Sequence, residues 1–74
     1  MALYETIIEI LAEEMGPAAT SFFAKQCKTL NKEPGSITNN DIDVLASGLY
    51  SGIKPILGDD IADKINKKIL SLKS

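Results

Sequence analysis

The stretch from Thr38 to Gly58 constrains this chain more than any other, because it carries the longest apolar stripe between a helix start and a helix stop. Ile42, Leu45, Ala46, Leu49, Ile53, Ile56 and Leu57 recur there at three- and four-residue steps, the spacing that gathers side chains on one buried face of an α-helix. Thr38 and Asp41 have the spacing of a capping box, with Asp in place of Glu, so the Thr38 hydroxyl can accept a backbone N–H that lacks an intrahelical partner. Asp41 and Asp43 put negative charge in the first turn, where the helix dipole favours it. Pro55 has no N–H, and its ring meets the carbonyl of residue 51 in a straight helix, which predicts a kink or an end near Ile53–Lys54. Gly58 suits the left-handed residue that closes a helix.

Gly48 and Gly52 interrupt this stripe, each disfavoured by about 1 kcal/mol against Ala in a helix interior. Ser47 and Ser51 lie beside them. One reading is a surface that another backbone approaches closely, either a partner helix or a second copy of the chain. The other is a weak helix that tolerates two glycines or breaks near Gly52. On the first reading Ser47, Gly48, Tyr50, Ser51 and Gly52 form an interface with Tyr50 as its anchor.

Three further helices follow from the same period. Residues 3–15 place Leu3, Ile7, Ile10, Leu11 and Met15 on one face, with Tyr4 and Ile8 on its border and Glu5, Glu9, Glu13 and Glu14 opposite. Gly16-Pro17 punctuates the chain, with Gly16 closing one helix and Pro17 taking the first position of the next. Residues 17–30 then place Ala19, Phe22, Phe23, Cys27 and Leu30 inside and Lys25 and Lys28 outside. Pro34-Gly35 marks a turn in the main connection, after which Ile37 and Ile42 have the spacing of a hydrophobic staple. Residues 60–72 form the last helix, with Asp59 and Asp60 as caps, Ile61, Ala62, Ile65, Ile69 and Leu72 inside, and Lys64, Lys67 and Lys68 outside.

Shifting the chain by 42 residues superposes Leu3 on Leu45, Gly16 on Gly58, Phe23 on Ile65, Cys27 on Ile69 and Leu30 on Leu72. The shared helix–Gly–helix layout predicts an all-α fold over residues 1–74, a small four-helix bundle made of two helical hairpins, with helices at about 3–15, 17–30, 39–54 and 60–72. The acidic first helix and the basic last one are either neighbours within the monomer or partners across a dimer. A domain of 74 residues has a modest core, and one cysteine allows no intrachain disulfide.

Composition narrows the function. There is no histidine, the commonest general base and metal ligand, and every basic residue is lysine, so the planar fork that reads phosphate and guanine is missing. Cys27 follows the buried period and has no base to activate it. Neither catalysis nor a cofactor nor a metal is expected. No run of about 18 apolar residues predicts a membrane span, and the N-terminus lacks the basic region of a secretory signal, which points to the cytoplasm.

Met15-Gly16-Pro17-Ala18-Ala19, Ile37-Thr38 with Asp41, and Lys54-Pro55-Ile56-Leu57-Gly58 together resemble a small helical module found at the ends of prokaryotic signalling and regulatory proteins. The resemblance implies a regulatory or interaction role and supplies no catalytic residue. The leading expectation is therefore a non-enzymatic interaction module that binds another protein or itself, with Glu5, Glu9, Glu13, Lys64, Lys67 and Lys68 as docking charges. The alternative is a small nucleic-acid-binding domain using Lys25, Lys28, Lys64, Lys67 and Lys68, against which stands the net charge of −2.

Overall fold

Each half of the chain is a pair of amphipathic helices on either side of a glycine, and in a computed structural model that describes residues 2–73 each pair folds back on itself. The first hairpin is α1 (Leu3–Met15) and α2 (Ala18–Thr29), and the second is α3 (Ile42–Leu57) and α4 (Asp59–Leu70). Gly16 has φ 65° and ψ −142°, and Gly58 has φ 92° and ψ 167°. Both have the positive φ that favours glycine, but Gly58 is not the left-handed helical residue the sequence suggests, because its ψ, like that of Gly16, is extended. Each donates its N–H back into the helix it closes, Gly16 to the Ala12 carbonyl and Gly58 to the Lys54 carbonyl.

The two hairpins close a four-helix bundle in which each helix packs closely against two neighbours, in the cycle α1, α2, α3, α4, while across the diagonals α1–α3 and α2–α4 no Cα atoms come within 8 Å. The radius of gyration is 10.9 Å, close to the roughly 11 Å of a compact chain of this length. The core follows the apolar stripes. Ile7, Ile10 and Leu11 come from α1, Ala19, Phe23 and Cys27 from α2, Ala62, Ile65 and Ile69 from α4, and Ile42, Leu45, Ala46, Leu49 and Ile53 from α3. The repeat is structural as well, because Ile7 and Leu49, Leu11 and Ile53, Phe23 and Ile65, and Cys27 and Ile69 are buried at matching places in the two hairpins.

Three details differ from the sequence expectation. Helix α3 does not end near Lys54 but runs through Pro55 to Leu57. Ser51 and Pro55 are both exposed, so the Ser51 carbonyl that Pro55 cannot serve lies on the side of the helix open to water. Ile56, placed in the buried stripe by its spacing, is 66% exposed in the last turn of α3. Of the two phenylalanines expected in the core, Phe23 is buried and Phe22 is half-buried against it.

The ends are also reset by local hydrogen bonding. A 3-10 turn, Asn39–Asp41, leads directly into α3, and there the Thr38 N–H and hydroxyl both donate to Asp41 Oδ2, at 2.9 and 3.1 Å. Lys32 reaches Asp41 from the other end of the connection at 2.8 Å, and Ile37 between them is buried in the core. Asn31, with φ 60°, stops α2. Its N–H bonds the Lys28 carbonyl and the Lys32 N–H bonds the Cys27 carbonyl, the paired bonds of a Schellman motif. Helix α2 begins at Ala18 rather than Pro17, and α4 at Asp59 rather than residue 60, so Asp59 and Asp60 sit inside the first turn of α4 instead of capping it.

Nothing lies within 4 Å of a Cβ added at Gly16 or Gly58, so backbone conformation alone decides what replaces them. Gly16→Ala or Gly58→Ala is expected to lower unfolding free energy by about 1–3 kcal/mol in urea titrations. Chemical synthesis with D-alanine at position 16 is expected to remove that loss, because the mirror image of the Gly16 conformation lies in the polyproline II region.

The small residues of α3 give a second expectation. A Cβ added at Gly52 would lie 2.8 Å from Phe22 Cζ, and one at Gly48 would lie 2.8 Å from Gln26 Oε1. The Gln26 amide is the end of a flexible chain and can swing aside, so Gly48→Ala retains a helix gain of up to about 1 kcal/mol. The Phe22 ring is packed and cannot, so Gly52→Ala is destabilising by about 1 kcal/mol net of the same gain. The opposite order in urea midpoints would contradict this packing.

Candidate docking groove

Helix α3 is buried on one side only. Asp43, Ser47, Tyr50 and Lys54 recur at steps of four, three and four on its outer side, where Asp43, Ser47 and Lys54 are exposed and Tyr50 is half-buried. On α4 the residues facing this side are Asp63, Asn66 and Leu70, again three and four apart. Asp43, Ser47, Tyr50, Asp63, Asn66 and Leu70 line an open groove of about 400 Å³ between the two helices. Its apolar surface is the Tyr50 ring, which packs against the core, and Leu70, which is 38% exposed. Val44, 57% exposed, extends the apolar surface on the far flank of α3.

The rim of the groove is charged and largely paired. Lys73 Nζ lies 2.6 Å from Asp43 Oδ2, and Lys67 lies 3.6 Å from Asp63 one turn away in α4. Lys54 stands 5.8 Å from the Tyr50 ring centroid, within cation–π range, and 3.9 Å from Asp59. All of these charged side chains are well exposed, so each pair contributes about 0–1 kcal/mol and can be exchanged for another partner.

The small-residue surface proposed from sequence divides in two. Gly48 and Gly52 point to α2, where the Gln26 amide and the Phe22 ring fill the space that side chains would take. Their spacing is thus explained by a close helix–helix contact inside the monomer. Ser47 and Ser51 are exposed on the outer side of α3, with Tyr50 turned towards the groove.

The docking charges are likewise distributed. Lys64 bonds Glu14 at 2.8 Å and Lys68 bonds Glu13 at 2.9 Å, so the acidic first helix and the basic last helix are neighbours within the monomer. Glu5 accepts the Ala2 N–H at 3.1 Å, and Glu9 stays exposed on α1. Of the lysines considered for nucleic acid, Lys64, Lys67 and Lys68 each face a carboxylate. Lys25 and Lys28 are exposed on α2.

The polar side chains lining the groove carry two hydroxyls, two carboxylates and one amide. Among the described residues no group of three or more His, Cys, Asp or Glu side chains could hold a metal ion, and no helix is long and apolar enough to cross a membrane. Cys27 is buried, and burial pushes its thiol above the ordinary value, away from the reactive thiolate. No protein-family model, curated protein or solved structure matches this chain.

Asp43, Asp63, Asn66, Leu70 and Lys73 are parts of the groove that reading the sequence missed. One signal was present. Leu70 is an apolar residue outside the buried stripe of α4, at the spacing that places it beside Asp63 and Asn66.

The seam between α1 and α4 makes stability depend on pH. The Lys68 ammonium holds Glu13 below its ordinary carboxylate value, and Lys32, with the Thr38 N–H, does the same for Asp41. A carboxylate depressed in the folded state stabilises above its unfolded pKa and loses that contribution as pH falls through the folded one. Lys64, raised by Glu14, stabilises at neutral pH and loses its contribution only as pH climbs through its raised value. Urea midpoints should therefore be level near neutrality and fall on acidification through the depressed carboxylate range. Lys68→Gln should flatten the part of that fall due to Glu13, and an unchanged acid slope in this variant would show that the pair does not operate.

Proposed function

We propose that this chain is a non-enzymatic protein-interaction or regulatory module whose docking face is the groove between α3 and α4. The observation that carries this reading is the half-buried Tyr50, flanked by the exposed small residues Ser47 and Ser51 and opposite Leu70 in an open groove. A tyrosine with an apolar body and a wet hydroxyl is a favoured anchor at protein interfaces. The groove is too open to enclose a small molecule, and small residues beside the anchor let a helix approach closely. The mixed acidic and basic rim favours a polypeptide that carries both charges.

A cytoplasmic location belongs to the same proposal. It is supported by a lone buried thiol, which needs no oxidising compartment.

The test is a photo-reactive amino acid at Asp63, an exposed position on the α4 wall of the groove, in cells of the native host, compared with the same group at Lys28 on the exposed side of α2. Protein adducts should form at Asp63 and not at Lys28, and Tyr50→Ala should reduce them about tenfold, as loss of an anchor residue does. Equal labelling at both positions, or none at Asp63, would overturn the groove as a docking face.

A further inference from the structure

The outer face of α3 reads Asp43, Ser47, Tyr50, Lys54 in one direction and Lys54, Tyr50, Ser47, Asp43 in the other. Laid antiparallel against itself, it puts acid opposite base at both ends and a large ring opposite a small hydroxyl at both inner positions. Reversal about this centre sets neither like charges nor two large residues against each other. From this we infer that the occupant of the groove is a second copy of the chain, with α3 packed antiparallel on α3 across a two-fold axis that passes between Ser47 and Tyr50. The inference rests on the groove being a docking face and specifies what docks there.

In the monomer Asp43 is engaged by the exposed Lys73 at 2.6 Å, a pair that the arrangement exchanges for Lys54 of the second copy. Asp43, Ser47 and Lys54 are exposed, and the four-three-four spacing is that of the seam along which two helices interlock. The face from residue 43 to residue 54 is about 16 Å long at 1.5 Å per residue. Tyr50 of each copy would lie over Ser47 of the other, in the groove whose far wall is Leu70. Lys54 is held in the monomer by a 3.9 Å contact to the exposed Asp59 and by its position 5.8 Å from the Tyr50 ring centroid, both on the exposed side of the helix, and can reach Asp43 of the second copy. Val44 and Leu70, exposed in the monomer, lie on the flanks of the seam and would be covered. A two-fold interface must be self-complementary, and here charge and size both meet that condition in one register.

The closing experiment follows from the reversal. Asp43→Lys sets Lys against Lys54 at both ends of the dimer, and Lys54→Asp sets Asp against Asp43 at both ends. In an equimolar mixture of the two variants, every end again has one acid and one base. Sedimentation equilibrium should give the unaltered chain a mass rising with concentration towards twice its 8.0 kDa. Each variant alone should dimerise about tenfold or more weakly, as two exposed pairs turned from attraction to repulsion imply. The mixture should regain association as a heterodimer.

Ser47→Lys, at an exposed position, fills the seat of Tyr50 and should weaken association to a similar degree without disturbing the fold, which decides the matter if either charge variant misfolds. Three results would overturn the inference: a monomer at every concentration, a dimer indifferent to these substitutions, or folded variants that fail to associate on mixing. A monomeric chain that still forms adducts with a foreign protein at Asp63 would sink the second copy and leave the docking face standing. A dimer insensitive to these changes, with no adduct at Asp63, would sink both.

Discussion

Everything in this fold depends on the buried stripe of α3. Ile42, Leu45, Ala46, Leu49 and Ile53 are almost entirely withdrawn from solvent, and at about 1.5–3 kcal/mol for each fully buried large aliphatic side chain they form the largest helix contribution to a small core. The neighbours of α3 answer it in different ways. Helix α4 packs along it through the hairpin closed by Gly58, whereas α2 approaches where Gly48 and Gly52 remove the side chains that would hold it off. Helix α1 lies diagonally across the core from α3, with no Cα atoms of the two within 8 Å; it completes the bundle between α2 and α4. A chain of this size, without a disulfide, has little else to draw on.

Electrostatics supplies arrangement rather than strength. The Lys64–Glu14 and Lys68–Glu13 pairs join the first helix to the last, and Lys32–Asp41 ties the two ends of the connection between hairpins. In each pair the lysine stays open to water, which keeps such pairs individually weak. Their placement matters because a pseudo-repeat offers more than one way to set its hairpins together. Acid on α1 and base on α4 favour the order in which those two helices meet, which complements the buried Ile37 in fixing the path of the connection.

How legible this was in the sequence varied with the kind of interaction. Stripes spaced at three and four residues located all four helices and nearly all of the core, since burial depends on local period. The repeat of Gly16 and Gly58 was visible for the same reason. Pro55 misled because its disruption depends on which side of the helix the lost hydrogen bond faces, and that requires knowing where water is. Ile56 obeys the period but lies in the last turn of α3, so spacing alone overstated its burial. Asn31 was readable in principle as a left-handed stop, but it lies among turn residues that give the same signal. Of the groove, Ser47 and Tyr50 were identified in advance, while Asp63, Asn66 and Leu70 were not, because a groove is formed by two helices and no single helix reveals it.

The two faces of α3 show how one pattern of small residues serves two purposes. Glycines at 48 and 52 and serines at 47 and 51 look like a single surface when written along the helix. A helix turns 100° per residue, so adjacent positions diverge, and the structure sends the glycines to α2 and leaves the serines outside. The internal contact needs the complete absence of a side chain, because Phe22 and Gln26 fill the space. On the outer face Ser47 and Ser51 stand exposed on either side of the half-buried Tyr50, and the proposed docking uses that arrangement. Close packing within the monomer therefore holds α3 in the orientation that presents Asp43, Ser47, Tyr50 and Lys54 outward, so the rigidity of the core fixes the geometry with which the exposed face can meet a partner.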